Sequence, residues 1–198
     1  MIPTTHYHGA HRPPLDGLPP VAAWSGHGVT AFAHDLLTDG PLPVAYEDAE
    51  VIVADLPWRF GFDIFNTRAG VEDDRSYAEF LDVIATMTES LAVPTYWVTG
   101  RHALPSLPAP DAVLPMRLNT DDAVAVGYRC GDEADGAYGT SPEFLHALTT
   151  RYAVAGDPCC GYGRTARVFL RAGGRAVVSD MNPQCIGYIA QHAGEWIA

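Results

Sequence analysis

The stretch AGDPCCGYGRT, residues 155–165, decides the fold of this chain. An apolar run leads into it from Ala153, and a helical apolar pattern follows it as far as Gly173-Gly174. The next strand, Ala176–Ser179, ends at Asp180. A glycine turn between strand and helix lets a ligand approach the backbone, and an acid after the next strand can hold ribose hydroxyls. The pattern predicts a nucleotide-type cofactor site in an α/β sheet.

Asp157 indicates which cofactor this turn binds. It stands at the strand end, directly ahead of Gly161 and Gly163. The spacing also fits a dinucleotide fingerprint, but a carboxylate there repels a pyrophosphate. A ligand with a cationic end is favoured instead, and the aminoacyl ammonium of S-adenosylmethionine is such an end. We predict S-adenosylmethionine as the cofactor, with a bare glycine turn as the alternative.

A second motif, VIVADLPWRF at residues 51–60, lies about a hundred residues earlier in the chain. Its strand ends at Asp55, where ligands of open α/β sheets bind. The Asp55 carboxylate and the Leu56 carbonyl can accept hydrogen bonds from an exocyclic amine, and Trp58 offers a face for a base. Methyl transfer to that amine then depends on positioning and electrostatics. The alternative is an ordinary strand end with a buried tryptophan.

The two motifs resemble those of a known enzyme family. VIVADLPWRF looks like the Asp-Pro-Pro-Trp motif of the methyltransferases that act on adenine or cytosine amines, and GDPCCGYGRT with VVSDMNP resembles their cofactor motif. The order with the catalytic motif first is a known, permuted arrangement in that family. FAHDLL at 32–37 and SPEFLHAL at 141–148 are similar to further family segments. The resemblance covers roughly residues 29–60 and 140–192.

The resemblance implies an α/β fold, a Rossmann-like methyltransferase sheet with helices on both faces and a circularly permuted motif order. It implies S-adenosylmethionine-dependent methylation of an exocyclic amine of a DNA base, with adenine expected, and a flipped target base. The implied catalytic residues are Asp55, Leu56, Pro57 and Trp58. The implied cofactor-binding residues are Asp35, Asp157, Pro158, Cys159, Gly161, Gly163, Thr165 and Asp180.

Three positions depart from the family pattern. Leu56 replaces a proline, Tyr162 replaces a small residue and Arg164 replaces a threonine, and the last two can crowd the cofactor. A catalytically inactive methyltransferase-like binding or scaffold subunit is therefore one alternative. A methyltransferase of a non-DNA amine is another.

The charged residues narrow the function further. The net charge of the 198-residue chain is −12, and all 12 basic residues are arginine. The absence of lysine excludes a phosphate-loop lysine and Schiff-base chemistry. The acidity disfavours a protein that coats nucleic acid by itself. For a DNA substrate, sequence specificity is expected to come from loops or from a partner, or to be absent. For backbone contacts we favour Arg59, Arg68 and Arg75, whereas a solvated helix face is expected for Arg164, Arg167 and Arg171.

The remaining expectations concern organisation. We predict one methyltransferase-like domain over residues 1–198, with an irregular N-terminal arm over 1–25. His6, His8 and His11 in that arm are interpreted as polar residues, so no metal site is predicted. No signal peptide or membrane span is recognisable, and a cytoplasmic location is the default. The sequence leaves open whether the chain forms a homo-oligomer or a hetero-oligomer.

Hydrophobic periodicity predicts the other elements. Strands are expected at Val29–Ala33 and Pro94–Thr99, and a strand pair at Val113–Leu118 and Ala123–Tyr128 with a turn at Asn119–Asp122. Phe60 to Asp74 is interpreted as a loop and residues 131–140 as an acidic loop. Helices are expected at Ser76–Ser90, from Ser141 to about Thr150, and at Tyr188–Trp196.

Overall fold

The computed structural model describes residues 15, 17–71, 75–116, 123–131 and 141–197. Their strands form one eight-stranded sheet in the order β1-β2-β8-β7-β3-β4-β6-β5. Strands β2, β8, β7, β3 and β4 run parallel to one another, while β1 and β6 are antiparallel to their neighbours. The strands are β1 Ala23–Gly26, β2 Val29–Ala33, β3 Val51–Asp55, β4 Thr95–Gly100, β5 Ala112–Pro115, β6 Ala123–Tyr128, β7 Val154–Asp157 and β8 Arg175–Asp180.

Helices cover both faces of this sheet. They are α1 Arg59–Arg68, α2 Tyr77–Ser90, α3 Ser141–Thr149, α4 Arg164–Arg171 and α5 Pro183–His192, with short 3-10 helices at Val44–Asp48, Arg101–Ser106 and Ala193–Ile197. Alternate residues of β3 pack in opposite directions: Val51 contacts the cluster of Phe144 from α3 and Phe169 from α4, whereas Ile52 contacts that of Ile84 from α2. Strands buried on both faces are apolar throughout, which explains the continuous apolar run of the β3 sequence.

Most of the predicted elements are present. Val29–Ala33 and Ala123–Tyr128 are strands with the predicted limits, and the helix predicted over Ser76–Ser90 begins at Tyr77 with Ser76 as its cap. The Ser76 side chain and Glu79 form a reciprocal capping box, which marks the helix start. The predicted turn at Asn119–Asp122, residues 132–140 of the predicted acidic loop, and His6, His8 and His11 lie outside the described residues.

The loop predicted from Phe60 to Asp74 is wrong over most of its described length, because residues 59–68 form α1. This helix is weakly amphipathic in sequence, but Phe62 packs against Tyr77 and Phe80 of α2, with ring centroids 5.8 and 5.4 Å away. Contacts with a distant segment thus stabilise a helix that local periodicity does not predict.

Two other boundaries differ from expectation. The final helix begins at Pro183 rather than Tyr188, since Asn182 caps it through Gln184 N–H and proline suits the first helical position. At the other end of the chain, β1 begins at Ala23, inside the segment predicted to be an irregular arm, because residues 23–26 pair antiparallel with β2. No helix among the described residues has the length and apolarity needed to cross a membrane.

Tyr46, in the 3-10 helix before β3, joins the ends of two parallel strands. Its buried hydroxyl donates to the carbonyl oxygen of Asp157 at 2.9 Å and lies 2.9 Å from the hydroxyl of Ser179. Burial raises the pKa of this phenol well above its usual value, so the group stays a neutral donor. The carboxyl ends of β7 and β8 are therefore held together by one side chain.

We expect Tyr46→Phe to lower the free energy of unfolding by about 1–3 kcal/mol, because a buried acceptor loses its donor. Urea denaturation measures this change. Tyr128→Phe is the matched control, since its hydroxyl donates to Pro108 O in a partly buried bond. An effect of Tyr46→Phe no larger than that of Tyr128→Phe would contradict the role given to Tyr46.

Candidate functional site

Three carboxylates meet at one edge of the sheet. Parallel pairing of β3 with β7 and of β7 with β8 brings together Asp55, Asp157 and Asp180, each the last residue of its strand. Burial raises the pKa of Asp157 to about 7, and repulsion by Asp55 and Asp180 adds to this. Hydrogen bonds from the Thr165 hydroxyl and the Cys159 N–H act in the opposite direction. A cation bound at this edge would therefore reduce the repulsion among the three carboxylates.

Two backbone N–H groups, one from the glycine turn and one from the segment after β8, donate to the Asp180 carboxylate. Gly161 N–H donates to one carboxylate oxygen at 2.9 Å and Asn182 N–H to the other at 2.9 Å. Burial nevertheless raises the pKa of Asp180 above its usual value. The Cys185 side chain donates a third hydrogen bond to this carboxylate, so one lone pair remains to accept a hydrogen bond from a ligand hydroxyl.

The two glycines of the turn meet different surroundings. Both have positive φ, +49° at Gly161 and +73° at Gly163. A Cβ at Gly163 would lie 2.8 Å from the Trp196 ring, whereas one at Gly161 would meet no atom of the described residues within 4 Å. Gly163 is thus required for packing, and Gly161 leaves open space beside its backbone.

The other predicted residues of the turn are mostly buried. Pro158 is buried, Cys159 is half-buried against the α2-side core, and Thr165 lies behind Asp157. Burial raises the pKa of the Cys159 thiol well above its usual value, with repulsion from the neighbouring carboxylates adding to it. The thiol is therefore neutral, and Cys159 contributes its backbone N–H to Asp157 rather than a thiolate.

The two bulky departures in the turn point to different neighbours. The Tyr162 ring packs edge-on against Tyr188 of α5, with centroids 5.2 Å apart. Arg164 reaches across to the tetrad formed by Asp55, Leu56, Pro57 and Trp58, where its guanidinium Nη1 lies 3.7 Å from Oδ2 of Asp55. Arg164, Arg167 and Arg171 are all exposed to solvent as expected, but Arg164 also faces the candidate site.

The tetrad extends the pairing of β3 with β4 by one backbone hydrogen bond. Leu56 N–H donates to Val98 O of β4 at 2.9 Å, and the Leu56 side chain is buried in the core. Pro57 is half-buried, and Trp58 caps the start of α1. The Trp58 indole packs against the core cluster on the α3 side, and its ring lies 6.4 Å from that of His102. Asp55 is thus the tetrad side chain with the largest exposure.

Asp35 lies just beyond β2, beside the end of β8. His34 N–H donates to Asp180 O at 3.0 Å, which places the two strand ends side by side. One Asp35 oxygen accepts Leu37 N–H at 3.0 Å, and the other forms an ion pair with Arg75. Because both side chains are largely buried, this pairing removes Arg75 from the arginines we favoured for phosphate contacts.

Several residues that shape this edge were missed at the level of sequence. Tyr46 ties β7 to β8, and Asn182 caps α5 while its amide donates to Arg68 O at 3.4 Å. The Asn-Pro pair after Asp180 was an available signal for Asn182, whereas no local pattern marks Tyr46. The described residues hold no cluster of three or more histidine, cysteine or acidic side chains suited to a metal ion.

Comparison with solved structures identifies the fold. The complex of M1.HpyAVI with S-adenosylmethionine superposes on 85% of this chain and 98% of its own, with a TM-score of 0.52 and 8% identity. TTHA0409 of Thermus thermophilus, described as a candidate DNA modification methylase, covers 75% of this chain and 87% of its own, with a TM-score of 0.51 and 14% identity. No protein-family model and no curated protein matches the chain. The likeness confirms the predicted fold class, a Rossmann-like methyltransferase sheet.

Alanine substitutions at Gly161 and Gly163 distinguish the effect of backbone strain on stability from that of steric overlap. Gly163→Ala is expected to lower the free energy of unfolding by about 2–5 kcal/mol, from backbone strain and overlap with Trp196. Gly161→Ala carries the backbone strain alone, about 1–2 kcal/mol. Thermal or urea unfolding of both variants tests the order, and equal losses would show that the Trp196 contact is unimportant.

Proposed function

We propose that the chain is an S-adenosylmethionine-dependent amino-methyltransferase that acts on an exocyclic amine of a DNA base, with adenine as the expected base. The observation that carries this proposal is the meeting of Asp55 with the Asp157–Gly161–Asp180 turn at one sheet edge. Because the tetrad strand β3 precedes the turn strand β7, we also propose a circularly permuted motif order.

The residues of the turn fit the proposed cofactor. The Asp157 carboxylate suits the ammonium of the aminoacyl end, since burial among acids raises its pKa to about 7 and a cation relieves that repulsion. Asp180 keeps one lone pair for a ribose hydroxyl, and the open space at Gly161 admits close backbone contact. Asp35 lies on the adjacent strand end, where we place the adenine. When bound, the cofactor supplies an electrophilic methyl group.

The tetrad would hold the acceptor amine. The Asp55 carboxylate accepts a hydrogen bond from one amine N–H and the Leu56 carbonyl accepts one from the other, which turns the nitrogen lone pair toward the methyl group. Pro57 restricts the backbone conformation of the turn that carries these two acceptors, because its ring fixes φ. The Arg164 guanidinium competes for Asp55, but both side chains are nearly half exposed, so this ion pair is weak and readily displaced.

DNA is the proposed partner, with a second protein for sequence recognition. Arg59 and Arg68 are exposed on α1, which starts at the tetrad, and we assign them to phosphate contacts. The net charge of −12 weakens binding to DNA elsewhere on the surface. An additional subunit that supplies basic surface fits this charge distribution.

The ion pair between Arg164 and Asp55 also favours a second candidate, an inactive methyltransferase-like binding subunit. In that case the guanidinium occupies the carboxylate that the acceptor amine needs. Incubation of the purified chain with labelled cofactor and DNA, RNA or protein separates the candidates. Transfer to DNA supports the first, transfer only to another amine supports a non-DNA substrate, and binding without transfer supports the inactive subunit.

Titration calorimetry with S-adenosylmethionine tests the cofactor site. We expect its affinity to rise about fivefold between pH 6 and pH 7, because Asp157, with its pKa near 7, must lose a proton to bind the ammonium. Asp157→Asn is expected to weaken binding and to flatten this pH dependence. Absence of binding at millimolar ligand would rule out the proposed cofactor.

Asp55→Ala tests the tetrad separately. Methyl transfer is expected to fall by at least about a hundredfold, since a group that orients the amine in the transition state is lost. The dissociation constant for S-adenosylmethionine is expected to stay within about twofold. Asp63→Ala, at an exposed acid on α1, is the matched control. Equal transfer rates in the two variants would exclude Asp55 from the reaction.

A further inference from the structure

Arg164 brings a positive charge to the carboxylate edge of the sheet, and the proposed function gives that charge no role. Its guanidinium Nη1 lies 3.7 Å from Oδ2 of Asp55, and the two side chains are 45% and 43% exposed. This separation is longer than a hydrogen bond between nitrogen and oxygen. The ion pair therefore leaves the N–H donors of the guanidinium available for a second anion.

Two other arginines show how the fold uses this side chain for structure. Arg129 donates from Nη1 and Nη2 to two carbonyl oxygens in the last turn of α2, at 2.8 and 3.2 Å. Arg75 forms its ion pair with Asp35 in a largely buried place. Arg164 has neither such hydrogen bonds nor such burial, and in the first turn of α4 its charge opposes the helix dipole. The stability of the fold therefore does not explain its position.

The proposed cofactor brings a negative group to the same edge. Its aminoacyl end carries an ammonium and a carboxylate on one carbon atom, so the two charges must bind side by side. The proposed function places the ammonium at Asp157, which is also repelled by Asp55 and Asp180. A ligand carboxylate beside these three acids is repelled unless a positive group faces it. A cation near Asp157 therefore favours binding of the whole zwitterion.

The chain places Arg164 close to Asp157. The hydroxyl of the adjacent Thr165 donates a hydrogen bond to the Asp157 carboxylate, so the first turn of α4 packs against this acid. Asp55, which the guanidinium contacts, is itself near enough to Asp157 to raise its pKa. Both the backbone and the charged group of Arg164 are thus near the proposed ammonium site. A planar guanidinium can donate two parallel hydrogen bonds to one carboxylate.

We propose that Arg164 binds the carboxylate of the aminoacyl end of S-adenosylmethionine and, in doing so, leaves Asp55 to the acceptor amine. This inference rests on the proposed function and gives Asp157 and Arg164 the opposite charges of one zwitterion. The exchange costs little, because the ion pair that Arg164 gives up is exposed. Arg164 is thus a cofactor-binding residue that also controls access to Asp55, and the tetrad becomes available once the cofactor is in place.

Calorimetric titration with two ligands tests this assignment: S-adenosylmethionine and its decarboxylated form, which keeps the ammonium and lacks the carboxylate. In Arg164→Gln we expect the dissociation constant for S-adenosylmethionine to rise about tenfold or more, because charge-assisted hydrogen bonds are lost. The constant for the decarboxylated ligand should stay within about twofold or fall, since only a like charge is removed. Arg167→Gln, at an exposed arginine of the same helix, is the matched control and should change neither constant.

The outcomes separate this inference from the proposed function. Equal effects of Arg164→Gln on the two ligands, or an effect on neither, overturn the inference even when the wild-type chain transfers methyl groups to DNA. Unchanged cofactor affinity with weaker binding of a DNA oligonucleotide assigns Arg164 to a phosphate and also overturns it. A loss of affinity confined to S-adenosylmethionine, in a protein that transfers no methyl group to DNA, supports the inference and rejects the proposed reaction.

The release of Asp55 has a readout of its own. The Nε–H resonance of Arg164, assigned with Arg164→Gln, is followed by NMR in the wild-type chain and in Asp55→Asn. We expect the resonance to differ between the two proteins in the free state, where Asp55 is the partner, and to become nearly equal once S-adenosylmethionine is bound. A difference that persists in the bound state shows that Arg164 stays on Asp55, and it overturns the exchange.

Discussion

The buried carboxylate of Asp157 is the group around which the rest of the site is organised. It is 3% exposed at the end of a central strand, and its pKa is raised to about 7 by that burial. The Thr165 hydroxyl and the Cys159 N–H donate hydrogen bonds to this carboxylate. The Tyr46 hydroxyl donates to the backbone carbonyl of the same residue. Burying a carboxylate beside two others is costly unless a partner offsets it. A cation bound at this site would therefore offset the cost of burying the Asp157 carboxylate.

The negative charge at this edge of the sheet also explains why the Arg164 guanidinium lies there. Arg164 is the first residue of α4, and a cation at a helix N-terminus opposes the helix dipole. Its pairing with Asp55 offsets that cost without burying either group deeply. The arginine therefore partly offsets the charge of Asp55 in the free protein, while its exposure keeps the pair easy to separate.

The sequence was sufficient for the parts of the site that depend on local pattern. The strand–turn–helix around Asp157 and the strand ending at Asp55 follow from adjacent residues, so both were predictable together with the α/β class. The ion pairs Asp35–Arg75 and Asp55–Arg164 join residues 40 or more positions apart and carry no local signal. Helix α1 was missed for the same reason, since its stability comes from aromatic contacts with α2.

The departure at Leu56 is explained by one hydrogen bond. A proline at this position would fix the backbone through its ring but would have no N–H to donate. Leu56 instead donates to Val98 O at 2.9 Å and buries its side chain with 1% exposed. The strand pairing of β3 with β4 therefore extends one residue past Asp55, and the backbone that carries the Leu56 carbonyl is held by the sheet. Rigidity that proline would supply covalently is supplied here by the neighbouring strand, so the substitution alone is no reason to regard the tetrad as inactive.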